Sequence, residues 1–274
     1  MRIYRSMLLN WVVTAVLLPL PISAHATVDW TEGFEYANQA ALEAVWATSC
    51  PGNDDIISPS TNRAHSGSRS LKETFRGHQG ITPGYASCYI DRYLKGSSDT
   101  LYTRYYMYMD NFTVDETSTK VALQGEDCCY PSFWWAMLFG NANLTVAVQG
   151  IISDNGSIDT QNVYGGAIPQ NQWVCIETQL TMSAPGVDNG IVRAWINGTQ
   201  VINKTNQRMR ASSLNQRNSP SAVFRFVRLY TQDGVGSIYY DDYAVSRDAR
   251  IGCSGSAPTN DTTPPAPPSG LSVR

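Results

Sequence analysis

Strand-length runs of alternating apolar and polar residues follow one another through most of the chain. Leu101–Met109 (LYTRYYMYM), Ser118–Gly125 (STKVALQG), Ser132–Gly140 (SFWWAMLFG) and Leu144–Gly150 (LTVAVQG) are rich in β-branched and aromatic residues and are separated by Asn, Asp, Gly or Pro. Trp173–Met182, Ile191–Gly198, Val223–Thr231 and Ser237–Ser246 continue the series. Asn197-Gly198 is a two-residue hairpin signal, because both residues tolerate the left-handed backbone of a type I′ turn. One short window, Asn38–Trp46, has helical periodicity, with Asn38 placed to cap it. No strand–helix–strand rhythm occurs, so a parallel sheet is not expected. The pattern predicts an all-β protein, a two-sheet antiparallel β-sandwich of jelly-roll type over residues 27–253.

Both ends depart from this pattern. Residues 1–26 have a basic start (Arg2, Arg5), an apolar stretch from Met7 to Leu20, helix-breaking Pro19 and Pro21, and the small-residue site Ala24-His25-Ala26. They read as a secretory signal peptide, since the apolar stretch is short for a bilayer span. No other segment is apolar enough to hold the chain in a membrane. Residues 254–274 carry five prolines among Ser, Thr and Gly, a linker composition. Their last part, TPPAPPSGLSV, resembles the entry into a fibronectin type III module, of which only the first strand is present.

Composition narrows the picture further. Charged residues are 16% and aromatics 11% of 274 residues, with a formal charge of −3, so the chain can bury a core and lacks the basic footprint of a nucleic-acid binder. Export from a bacterial cell would make the six cysteines (Cys50, Cys88, Cys128, Cys129, Cys175 and Cys253) disulfide candidates. The spacing does not choose among the pairings. Cys50–Cys88 and Cys175–Cys253 are preferred, with Cys128 and Cys129 joined to each other or partly free. No Cys-x-x-Cys with partner histidines supports a metal cluster.

Alternation along the strands identifies residues that share a face. Arg104, Tyr106 and Tyr108 oppose Tyr105, Met107 and Met109, and the methionine face reads as inter-sheet core. Lys120 and Gln124 share one side of their strand, Gln149 lies with Thr145 and Ala147, Glu177 with Gln179, and Arg193 with Trp195. Set side by side, these faces would form a sheet surface of Arg, Lys, Gln, Glu, Tyr and Trp. Such a surface suits sugars, whose faces stack on rings and whose hydroxyls need directed hydrogen bonds. Aromatic residues packed under long loops would look the same.

The segments GFEYANQAALEAVW, WVCIETQLTMSAPGVDNGIVRAWINGTQV and YYDDYAVS resemble secreted concanavalin A-like jelly rolls, and among these the polysaccharide-lyase branch of heparin lyase I and alginate lyase types. The resemblance spans Asp29 to Cys253. It implies β-elimination on an anionic, uronate-containing polysaccharide by a monomer without a catalytic cofactor. The chain departs from the alginate-lyase pattern: R-x-E-L-R and Q-I-H strands are absent, and TRYYMYM, VALQG and VAVQG stand in comparable places without the histidine. A retaining glycosidase is disfavoured, because Glu177 lacks a second carboxylate ~5 Å away on its strand.

A lyase must neutralise a uronate carboxylate, remove the adjacent ring proton and protonate the departing O4. Arg104, Lys120, Gln124 and Gln149 are the candidate neutralisers. His78, in the turn-like GHQG, or a tyrosine is the candidate base, and Tyr106, Tyr108 or Tyr240 the candidate acid. Tyr108, Gln149, Glu177, Arg193, Trp195 and Tyr240 are candidates for contacting substrate. His65, in NRAHSGSRS, reads as structural, with Gly67 permitting a bend and Ser70 opening a strand. First and last strands are neighbours in jelly rolls, so Glu35 and Asp242 are candidates for a structural calcium ion, against an ordinary exposed acidic pair. A non-catalytic carbohydrate-binding or adhesion module is the alternative function, and a hydrolase on the same fold the third.

Overall fold

The computed structural model describes residues 26–49, 56–76, 88–114, 118–126, 133–140, 145–151, 161–213, 219–230 and 234–253. For residues 56, 76, 118–120, 123–126, 133–140, 145–151 and 161–164 it describes the backbone alone. The leader up to residue 25, the Pro-rich tail, Cys50, Cys128, Cys129 and His78 lie outside the described residues.

In chain order the elements are β1 (Val28–Glu32), α1 (Gln39–Glu43), β2 (Ala47–Ser49), β3 (Ile56–Ser60), β4 (Ser70–Arg76), β5 (Tyr89–Ser98), β6 (Thr100–Val114) and β7 (Ser118–Glu126). There follow β8 (Phe133–Gly140), β9 (Thr145–Ile151), β10 (Gln161–Ala167), β11 (Trp173–Thr181), β12 (Gly190–Ile196), β13 (Thr199–Gln207), β14 (Phe224–Tyr230) and β15 (Gly234–Ser246). Asn38 caps α1 as expected, its side chain accepting from the Ala41 N–H at 3.0 Å. Asn197 and Gly198, at φ 49° and 80°, turn β12 into β13.

These strands form two antiparallel sheets. The eight-stranded first sheet runs β13-β12-β11-β6-β15-β4-β3, with β1 also paired to β15; the seven-stranded second sheet runs β10-β9-β8-β7-β14-β5-β2. The first and last strands are thus neighbours, as a jelly roll requires. Between β6 and β7 the chain passes from the first sheet to the second. These two strands, adjacent in sequence, therefore lie on opposite sides of the sandwich.

The inner faces meet in one core. Tyr105, Met107 and Met109 are each about 1% exposed, and Val174, Ile176, Ala194, Ile238 and Val245 join them from the first sheet. Ile90, Val227 and Leu229 come from the second sheet. Burying each large apolar side chain contributes roughly 1.5–3 kcal/mol. At one end a nest of Trp30, Phe34, Trp46 and Tyr243 closes the core. There Glu32 accepts from Tyr36 Oη at 2.6 Å, Trp46 Nε1 at 3.2 Å and Arg92 Nη1 at 2.8 Å, tying the N-terminal segment to β5.

Candidate functional site

Strand register brings much of the expected first-sheet face together. Trp173 lies opposite Tyr108, Cys175 opposite Tyr106 and Glu177 opposite Arg104, while β12 sets Trp195 beside Glu177 and Arg193 beside Gln179. That face is closed by the protein itself. Arg250, just past β15, grips both Glu177 oxygens through Nε at 3.2 and 3.1 Å, and its guanidinium lies 4.5 Å from the Trp195 ring. The Gly252 N–H donates to Glu177 at 2.7 Å, Tyr106 Oη donates to the Cys253 carbonyl, and a Cys175–Cys253 disulfide joins this strap to β11. Arg104 is 4% and Glu177 1% exposed. Burial raises the Tyr106 phenol above its ordinary value, with Arg104 opposing and Asp242 and Glu177 adding to the rise. Arg193 is held by Gln179 and Asn203 at 3.1 and 3.0 Å.

A second cover lies over the other end of the same face. The 63–69 loop stacks His65 on Tyr106 at 3.6 Å, and Arg63 lies 4.1 Å from the Tyr108 ring centroid while donating to Asp110 at 3.2 Å. Carboxylates hold this loop down. A bulge in β15, with Asp242 at φ 48°, turns two consecutive side chains towards it. Asp241 accepts from the His65 and Ser66 N–H groups at 2.8 and 3.0 Å, and Asp242 from His65 Nδ1 and Ser66 Oγ at 2.6 and 2.7 Å. Glu35 accepts from Ser68 N–H, Ser68 Oγ and Arg69 N–H at 2.8, 2.8 and 2.9 Å. Gly67 (φ 61°) lies against Glu35, where a Cβ would come within 2.2 Å of Oε1. Glu35 and Asp242 thus meet the same loop, and each of their oxygens already accepts from an N–H or O–H. As arranged, they do not fit a cation, which would have to displace these donors. The metal-capable side chains that converge among the described residues are Cys175, Glu177 and Cys253, two of which form the disulfide.

Two expectations need correction. Tyr240 does not line a surface: it is fully buried, its Oη donates across the sandwich to the Val121 carbonyl at 3.3 Å, and burial pushes its phenol well above the ordinary value. Nor do Arg104, Lys120 and Gln124 share one surface, because β6 and β7 belong to different sheets. Lys120 and Gln124 on β7 and Gln149 on β9 are second-sheet residues, opposite Leu138, Trp135 and Ala136 of β8. Their side chains, like His78, lie outside the described residues. Cys175–Cys253 is the preferred pair, and Cys88 is disulfide-bonded to a cysteine outside the described residues.

The second sheet holds a cluster that the sequence reading did not single out. On β5 and β14, Tyr93 faces Phe226, Asp91 faces Arg228 and Tyr89 faces Tyr230. Arg228 donates from Nε and Nη2 to the two Asp91 oxygens, both at 2.6 Å, and its guanidinium lies 3.7 Å from the Tyr89 ring centroid. Tyr89 and Tyr230 stack at 6.2 Å, and Tyr93 is 53% exposed. Burial pulls the Arg228 pKa down, but the Asp91 hydrogen bonds and charge outweigh it and raise the value. The signal was available as alternation: Phe226, Arg228 and Tyr230 in FRFVRLY, and Tyr89, Asp91 and Tyr93 in YIDRY.

No protein-family model and no curated protein matches this sequence. Solved structures do match its fold. An endo-β-1,4-glucuronan lyase from the fungus Trichoderma reesei is 14% identical at a TM-score of 0.58, covering 80% of this chain and 95% of its own. The cellulose-induced protein Cip1 is 16% identical at 0.55, covering 82% and 99%. The PL-14 alginate lyase from Aplysia kurodai is 16% identical at 0.53, covering 81% and 100%. The chain has their two-sheet jelly-roll fold.

Proposed function

We propose that this is an exported protein that holds an anionic, uronate-containing polysaccharide against the outer face of the second sheet and cleaves it by β-elimination. The observation that carries the reading is the contrast between the faces. The first-sheet groups are closed under a disulfide-anchored strap and a loop, whereas β5 and β14 present Arg228, Tyr89, Tyr230 and exposed Tyr93 together. The fold shared with a glucuronan lyase and an alginate lyase supports the substrate class. The Cys175–Cys253 disulfide fits an oxidising, extracytoplasmic compartment.

In the proposed reaction, neutralising the uronate carboxylate acidifies the C5 proton. A base removes that proton, the C4–O4 bond breaks, a C4=C5 double bond forms and an acid protonates the leaving oxygen. Tyr230 and Tyr89 are the proton-transfer candidates on this face, with His78 retained as an alternative base. Lys120 and Gln149, on β7 and β9 of the same sheet, are candidates for holding the carboxylate, whereas Gln124 stands at the register position of the core residue Val227. The test is incubation of purified protein with glucuronan, alginate, heparin and hyaluronan while following the absorbance of the unsaturated uronate. Product from at least one polymer is expected. Silence on all of them, with polymer binding retained, would leave the non-catalytic carbohydrate-binding module. One observation favours that second reading: His65, the histidine among the described residues, lies in the loop over the first sheet and is held by Asp242.

A further inference from the structure

Arg228 lies near the middle of β14, with β5 on one side and β7 on the other. A guanidinium has two forked edges, one made by Nε and Nη2 and one by Nη1 and Nη2. Asp91 occupies the first, with both contacts at 2.6 Å. Among the described residues, Nη1 has no hydrogen-bond partner, and none of them occupies the second edge. The group is also held in orientation, lying against Tyr89 at 3.7 Å and 5.2 Å from the Phe226 ring centroid. The Arg228 side chain is 21% exposed against 7% for Asp91, so the pair reaches solvent through its cationic member.

We propose that the Nη1/Nη2 edge of Arg228 receives the carboxylate of a uronate residue, and that Asp91 is a positioning residue that aims it. The inference rests on the reading that the polysaccharide lies on the second sheet, and it assigns one contact within that site. A planar fork matches both oxygens of a carboxylate, whereas a hydroxyl of a neutral sugar uses only one donor. Tyr93, two residues from Asp91 on the same face, offers a ring on which the adjoining sugar can stack. Arg228 would therefore discriminate between acidic and neutral polymers, with the aromatic residues binding either.

The experiment is calorimetric titration with a tetrasaccharide of 1,4-linked glucuronic acid and one of alginate, with cellotetraose as the neutral counterpart. Wild type is expected to prefer at least one of the uronate ligands. Arg228→Lys, which keeps the charge and loses the fork, is expected to weaken that binding about tenfold or more and leave cellotetraose unchanged. Asp91→Asn separates positioning from simple charge. Removing a negative charge next to the site should tighten uronate binding if only charge matters, and weaken it several-fold if Asp91 aims the fork. Circular dichroism establishes that each variant is folded; if Asp91→Asn is not, Arg228→Lys and Arg228→Gln carry the test. Unchanged uronate affinity in Arg228→Lys, or tighter binding in folded Asp91→Asn, overturns the inference and leaves the proposed function standing. Failure of both uronate ligands to bind wild type overturns both. Because binding is read rather than turnover, a protein that binds without cleaving still decides the matter.

Discussion

The two sheets carry nearly the same constellation on their outer faces, a carboxylate clasped by an arginine that lies on an aromatic ring. On the first sheet it is Glu177, Arg250 and Trp195; on the second, Asp91, Arg228 and Tyr89. They differ in where the arginine comes from. Arg250 arrives from a segment beyond the last strand, and a disulfide across 78 residues of sequence joins that segment to β11. Arg228 and Asp91 sit on neighbouring strands, so their pairing brings no covering segment with it. One set is therefore a clasp, and the other has no such strap over it among the described residues. Similar side-chain chemistry ties down a distant segment or only joins two neighbouring strands according to which stretch of backbone supplies the cation.

The largest effect that could break this comparison is catalytic. Tyr230→Phe is expected to lower kcat on the cleaved polymer by about 10²–10⁴-fold, the range for losing a proton-transfer group. Tyr106→Phe should change turnover little, losing one hydrogen bond to the Cys253 carbonyl and about 1 kcal/mol of stability. The reverse outcome would move the site to the first sheet. Next comes the clasp: Cys253→Ser should cost about 2–5 kcal/mol of stability, read from chemical denaturation, with uronate binding preserved in the folded protein. A smaller loss, about 1–3 kcal/mol, is expected for Glu177→Gln, because Arg250 is partly exposed and can rehydrate.

The loop clamp gives a pH dependence. Burial, with Asp242 adjoining, pushes Asp241 up to about 7 against the pull of the N–H donors it accepts from. The proton is bound more tightly in the folded state than in the unfolded one. This group's stabilising contribution is therefore complete below about pH 4 and is lost as pH rises through about 7. Denaturation midpoints measured across that window should fall with pH, and Asp241→Asn should flatten the slope. The smallest effect concerns calcium. With the Glu35 and Asp242 oxygens already accepting from the loop, millimolar calcium is expected to leave Tm nearly unchanged. A rise of several degrees would show that the clamp opens for the cation.

Much of the architecture was legible because a period of two is a local property. The alternation in LYTRYYMYM placed Tyr105, Met107 and Met109 in the core. Asn197-Gly198 marked its hairpin because few residue pairs tolerate that turn. The site was less legible. Alternation says which residues share a face of one strand, but not which sheet the strand joins or which side of it is covered. That is why Arg104 and Lys120 looked like neighbours. Nor does the tyrosine-rich run SIYYDDYAVS say which of its rings point inward, and Tyr240 lies in the core row opposite Met107.

The amino-acid order by itself determined the strands, the hairpin and the helix cap, since these depend on steric and hydrogen-bonding preferences over a few residues. Only the tertiary structure decided that β6 and β7 part to opposite sheets, that a strap from beyond β15 closes Glu177 and Arg104, and that Asp91 meets Arg228 across β5 and β14. Those outcomes depend on contacts between residues far apart in the chain, fixed when the two sheets bury their apolar faces against each other.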